Sequence, residues 1–155
     1  MKPWIEKVSR LLRNRSGNVL VEFAVGSGVL VAAFTGTFQF GYTFLQYNNL
    51  ENAVARGARY ASLIPYDSAD TNPSTAFKTK VQNMVLYGSP TAGTSPVLPG
   101  LSTTNVNLTV TFANGIPSLM TVSISGYTIS SIFASSTLTT KPKVAFTYQG
   151  VWTPI

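Results

Sequence analysis

From Val19 to about Leu45 every residue is apolar, small or hydroxyl-bearing except Glu22 and Gln39. At 1.5 Å rise per residue such a run reaches roughly 40 Å as a helix, more than the ~30 Å hydrocarbon core of a bilayer requires. One spanning helix is predicted, with Phe38, Phe40, Tyr42, Phe44 and Tyr47 crowding its far end, where an aromatic belt meets the headgroups. The pattern then changes without a break. Tyr47, Leu50, Val54, Gly57 or Ala58, and Ala61 recur at three- and four-residue spacing, while Asn49, Glu51, Asn52, Arg56 and Arg59 fall largely elsewhere, until Pro65 stops the run. The expected element is one helix over 18–63, lipid-like over about 19–45 and amphipathic beyond.

Residues 64–155 carry shorter periods. After the loop PYDSADTNPST, a helix is expected at about 75–87: Ser74 or Thr75 can cap it, Phe77, Val81 and Met84 or Val85 form a face, and Gly88 ends it. Residues 88–104 are rich in Gly, Pro, Ser and Thr and read as a flexible connector. The period next falls to two, giving strands at about 105–113 and 119–126 joined by a turn at Asn114-Gly115. A Ser/Thr-rich crossover with a helical turn near Ile129 to Phe133 leads to a third strand at about 143–151. A three-stranded sheet with one apolar face is unstable alone in water, and the amphipathic half of the long helix is the natural cover. The fold class expected is α+β: a long N-terminal helix packed on a small, mainly antiparallel sheet.

Composition narrows the chemistry. The chain of 155 residues has no cysteine and no histidine, which excludes disulfide frameworks, thiolate or imidazole metal sites and nucleophiles that need a His base. The net charge of +6 points to nucleic acid only until the charges are placed: Lys2, Lys7, Arg10, Arg13 and Arg15 all precede Gly17, opposed there by Glu6 alone. After Gly17, six basic residues face four carboxylates. Basic residues just before an apolar helix mark a cytoplasmic flank, whereas a nucleic-acid footprint spreads Lys and Arg over a face with aromatics among them. Residues 1–17 therefore read as a basic cytoplasmic leader, and no nucleic-acid partner is expected.

Glu22 is the anomaly. It can be an interfacial acid snorkelling to the headgroups, or a relay group, for which a single span with one carboxylate offers no partner. A third reading uses Gly17: if the chain is cut there, Asn18 carries a free amine that titrates near 8, and Glu22 lies one turn away on the same helix face. An unpaired carboxylate deep in the span costs ~2.5–3.5 kcal/mol, so pairing with that amine, or with a neighbour's, gives the acid a reason to exist. Ala24, Gly28, Ala32 and Gly36, each four apart, stack into a ridge of small residues of the kind that lets helices approach closely in lipid.

These residues carry a resemblance. GNVLVEF, with Gly17 before Asn18 and then Glu22-Phe23, resembles the processing site of type IV pilins of the tight-adherence class and their pseudopilins. Phe40-Gly41 followed by Ala55-Arg56-Gly57-Ala58-Arg59-Tyr60-Ala61 resembles the TadE-like pseudopilin (minor pilin) family more narrowly. Together they cover Gly17 to about Leu63, and the chain departs from the pattern in lacking a Pro after Glu22-Phe23-Ala24, in Gln39 before Phe40-Gly41 and in Tyr42. The resemblance implies a noncatalytic subunit or assembly factor of a Tad/Flp-type pilus, cut after Gly17 by a prepilin peptidase. Its implied partners are membrane lipid, that peptidase and other pilins or pseudopilins. Its implied place is the bacterial inner membrane, single-pass, with the N-terminus cytoplasmic and residues 64–155 outside.

Other chemistry is set aside. Asp67, Asp70 and Asn72 lack the spaced ligands of a calcium loop and read as turn residues, so no metal and no cofactor is expected. Arg56 and Arg59 read as a solvated helix face, with an anionic partner as the other option. A cell-wall hydrolase would need an acid/base pair, and no carboxylate falls within the sheet region; neither enzyme activity nor a small-molecule substrate is expected. The rival reading is an anchored extracytoplasmic binding module left uncut at Gly17.

Overall fold

A computed structural model of the chain describes residues 15–131 and 135–154. Most of the basic leader, with Lys2, Lys7, Arg10 and Arg13, therefore lies outside the described residues, as does Phe133 of the expected helical turn. The described chain forms helix α1 (Arg15–Leu63), helix α2 (Thr75–Tyr87), a 3-10 turn (Thr103–Asn105) and strands β1 (Val106–Ala113), β2 (Ile116–Ile124), β3 (Tyr127–Ser130), β4 (Ser135–Leu138) and β5 (Lys143–Thr147). It is an α+β fold whose backbone divides into two units, one up to Phe40 and one from Gly41 on.

In the first unit α1 has no polar face. Val19, Leu20, Val21, Phe23, Val25, Val29, Leu30, Val31, Phe34 and Phe38 are all exposed on it. A helix apolar all round has no stripe to bury against a core and is stable in lipid rather than water. α1 is long and apolar enough to cross a membrane.

The second unit has a conventional core. Leu50, Ala53, Val54, Ala58 and Ala61 of α1 are fully buried and form one stripe. Against the stripe lie Phe77, Val81 and Val85 of α2, Val106 and Val110 of β1, and Met120, Val122 and Ile124 of β2. The amphipathic part of α1 thus shares its core with the sheet.

β2 is the centre of an antiparallel sheet in the order β1-β2-β5. The pairs Val106↔Ile124, Leu108↔Val122 and Val110↔Met120 put every apolar residue of the alternation on one face. Asn114 and Gly115 connect β1 to β2 with φ of 54° and 79°. Two successive positive φ values make the turn whose twist suits a hairpin, and Gly115 reaches its angle at no steric cost.

α2 is capped by Ser74, whose hydroxyl accepts the Phe77 N–H at 3.0 Å and donates to Asp67 Oδ2 at 2.6 Å. It ends at Gly88, in the left-handed region at φ 71°.

Three regions differ from the sequence reading. The crossover forms a second two-stranded sheet, β3-β4, and Ile129 sits in a strand rather than a helical turn. Tyr127 and Ile129 point inward and Thr128 and Ser130 outward, a period of two too short to stand out among serines and threonines. Residues 88–104 are anchored despite their composition: Leu98 and Leu101 are buried, Val97 N–H donates to Leu86 O at 2.7 Å, and Asn83 Nδ2 donates to Pro90 O at 3.2 Å. β5 ends at Thr147, where the chain turns back to the end of α1.

That return forms a clasp. Gln149 N–H donates to Ser62 O at 2.9 Å, Tyr66 N–H to Val151 O at 3.0 Å and Thr153 N–H to Tyr66 O at 2.9 Å. The Tyr148 hydroxyl accepts the Tyr66 N–H at 2.8 Å and lies 3.1 Å from Ile64 O. Tyr66 is fully buried, edge-on to Phe77, Phe112 and Tyr148, and Trp152 stands edge-on to Phe112.

Burial pushes the phenols of Tyr66, Tyr127 and Tyr148 above their ordinary value. A phenol raised in the folded state stabilises the fold fully below its unfolded value near 10 and loses that contribution as pH climbs through the folded value. Thermal melting of the second unit in detergent should be unaffected by these groups from pH 6 to 9 and fall above about pH 10. A melting temperature as high at pH 11 as at pH 8 would contradict this.

Candidate functional site

The residues singled out from the sequence lie along α1 and fall into two environments. Gly17 and Asn18 are in its first turn, on exposed backbone. One turn on, Glu22 is exposed among Leu20, Val21 and Phe23. An acid on an otherwise apolar surface needs a partner from outside this stretch or a path to the headgroups.

Ala24, Gly28 and Ala32 are also exposed and Gly36 nearly so, with nothing within 4 Å of the place a Cβ would occupy at Gly28 or Gly36. The small-residue ridge is thus an open strip of backbone flanked by bulky side chains. Close by, Leu30, Ala33, Phe34, Thr37 and Phe38 enclose a shallow apolar hollow of about 400 Å3. Phe40 is 76% exposed. Gly41, the first residue of the second unit, has open space around it.

The motif Ala55 to Ala61 behaves differently. Gly57, Ala58 and Ala61 are buried, Ala55 and Tyr60 half-buried, and Arg56 and Arg59 exposed. Its glycine is explained by contact: a Cβ at Gly57 would lie well inside van der Waals distance of Val85 Cγ2 on α2. The small residues set how closely two helices approach. The arginines flank a groove of about 540 Å3 with Asn49, Asn52, Ala55, Val97 and Phe146. The Arg56 guanidinium reaches toward Gly88 at the C-terminal end of α2, where a cation is favoured by the helix dipole.

Asp67 and Asp70 hold turns. Asp70 Oδ1 accepts the Asn72 N–H at 2.7 Å, and that bond holds the carboxyl below the usual range. Among the described residues no three potential ligands gather to hold a metal. The alternation of residues does not predict the clasp. Tyr148 and Gly150 lie at the end of the strand expected at about 143–151 and Trp152 just beyond it, and only the aromatic spacing around Gly150 hints at a different role.

The first unit offers an exposed apolar helical stretch with a single acid near its start; in the second, a buried stripe packs by small residues. No curated protein and no solved structure matches the chain. A family of TadE-like proteins matches residues 17–59, from the glycine before the apolar run to the second exposed arginine, and over that segment the chain is similar to that family.

Proposed function

We propose that the chain is a noncatalytic pilin-like subunit or assembly factor of a Tad/Flp-type pilus, made as a precursor and cut after Gly17 by a prepilin peptidase. The observation that carries this reading is the exposed apolar stretch of α1 with Glu22 as its only acid, within the TadE-like segment. The basic leader holds the N-terminus in the cytoplasm, α1 inserts, and the second unit folds on the far side. Cleavage creates an amine at Asn18, and Glu22 of the same or a neighbouring subunit neutralises it. The ridge Ala24, Gly28, Ala32 and Gly36 then lets helices pack in the bilayer, where close backbone contact replaces the hydrophobic drive.

Intact-mass and N-terminal analysis of the protein from its native membrane tests the reading. A start at Asn18 supports it; a retained Met1 overturns it. Gly17→Val should leave the precursor uncut, because a branched side chain crowds the scissile peptide. Glu22→Gln should still be cut but should associate with its partners about tenfold less, the loss of one charge pair in a poorly solvated site.

A further inference from the structure

The groove beside Arg59 has an unmatched charge. Arg59 is exposed, and among the described residues no carboxylate contacts it or Arg56. Glu51, the nearest acid along α1, precedes the two arginines by five and eight residues, not by the three or four that bring side chains together on a helix. The groove is not purely polar: Ala55, Val97 and the 38% exposed ring of Phe146 line it beside the arginines and two asparagines. It suits an acidic turn that also offers a small apolar side chain.

The second unit displays such a turn. Ala69 and Asp70 are exposed at the tip of the loop after α1. The tip is fixed from beneath: the Tyr66 hydroxyl donates to Asp70 O at 2.7 Å, the Trp152 indole N–H to Ser68 O at 2.9 Å, and Asn72 N–H to the Asp70 carboxylate. Ordering that would otherwise oppose binding is already complete. Among the described residues of the second unit, Asp70 is also the one side-chain carboxylate that is exposed and lies off the helix.

We infer that the groove bounded by Asn52, Arg56, Arg59 and Phe146 receives the Ala69–Asp70 turn of a second copy of this chain. Groove and turn are different patches of the same surface, so each copy offers one of each and the contact propagates in a row instead of closing as a pair. The inference rests on the proposed function for one point only, that anchored copies share an orientation in the membrane.

The chain has no cysteine, so a cross-linking test has no background. In membranes holding the full chain, Asn52→Cys together with Ala69→Cys should give an oxidation-dependent ladder of oligomers, whereas either substitution alone should give a dimer at most. Adding Arg59→Glu should cut the ladder about tenfold through like-charge repulsion with Asp70, and adding Asp70→Arg as well should restore it to within about threefold. Absence of a ladder, or a ladder indifferent to charge reversal, overturns the inference. So does an Arg59→Glu effect confined to binding of phosphatidylglycerol vesicles, which would assign the groove to lipid headgroups. N-terminal analysis of the same membranes separates the two failures: a start at Asn18 without a ladder defeats this contact alone, and a retained Met1 defeats the pilin reading whatever the ladder shows.

Discussion

Gly57→Val should destabilise the second unit by about 3 kcal/mol while leaving the spanning part of α1 helical. The position has no room: a Cβ there already collides with Val85 Cγ2, and Val adds two methyl groups at the same place. Val85 is fully buried and β-branched, so it has no free rotamer to retreat into. Overpacking costs about 1–3 kcal/mol where neighbours can shift, and the upper end is expected where two helices meet through backbone. Amide hydrogen exchange is the measurement, since it separates residues 41–154 from the membrane stretch. Gly57→Ala with Val85→Ala should recover most of the protection, because the second substitution removes the methyl that the first one meets. Wild-type protection in Gly57→Val would show that α1 and α2 are not held at this distance.

Tyr148→Ala should be the next most damaging change. It removes an aromatic ring packed against Tyr66 and a hydroxyl that accepts the Tyr66 N–H and has Val151 O at 2.8 Å and Ile64 O at 3.1 Å as acceptors for its one proton. Truncating large aromatic side chains costs about 3–5 kcal/mol in full cores, and about 2–3 kcal/mol is expected for this half-buried ring. Tyr148→Phe keeps the ring and loses only the hydrogen bonds, so about 1 kcal/mol is expected. Chemical denaturation in detergent should rank the three proteins in that order. Equal loss from both variants would place the weight on the hydroxyl, and no loss from either would remove the clasp from the stability of the fold.

Legibility in the sequence followed the length and regularity of each pattern. α1 was readable because its apolar run is long and the stripe from Leu50 to Ala61 keeps one period after it. The β1-β2 hairpin was readable because alternation on both sides meets at Asn114-Gly115, where two local signals agree. β3 and β4 were not, since four-residue strands of Ser and Thr around Tyr127 and Ile129 contain too few periods. Leu98 and Leu101 were hidden by their surroundings: composition describes the connector as a whole, but two leucines decide where it goes. The clasp was invisible for another reason, because it joins residues far apart in sequence, in large part through backbone atoms that every residue carries. In the motif Ala55 to Ala61 the small residues could be seen, but the partner that makes Gly57 necessary, Val85, could not.

The bonds from Tyr148 to Ile64 and from Trp152 to Ser68 each span 84 residues. At synthesis rates of ~5–20 residues per second, roughly 4–17 s separate the emergence of the two ends. During that interval Tyr66 lacks the Tyr148 ring and the backbone partners that complete its burial. Non-local contacts of this kind form late and slowly. The new polypeptide therefore passes through a window of vulnerability to proteolysis and premature clumping.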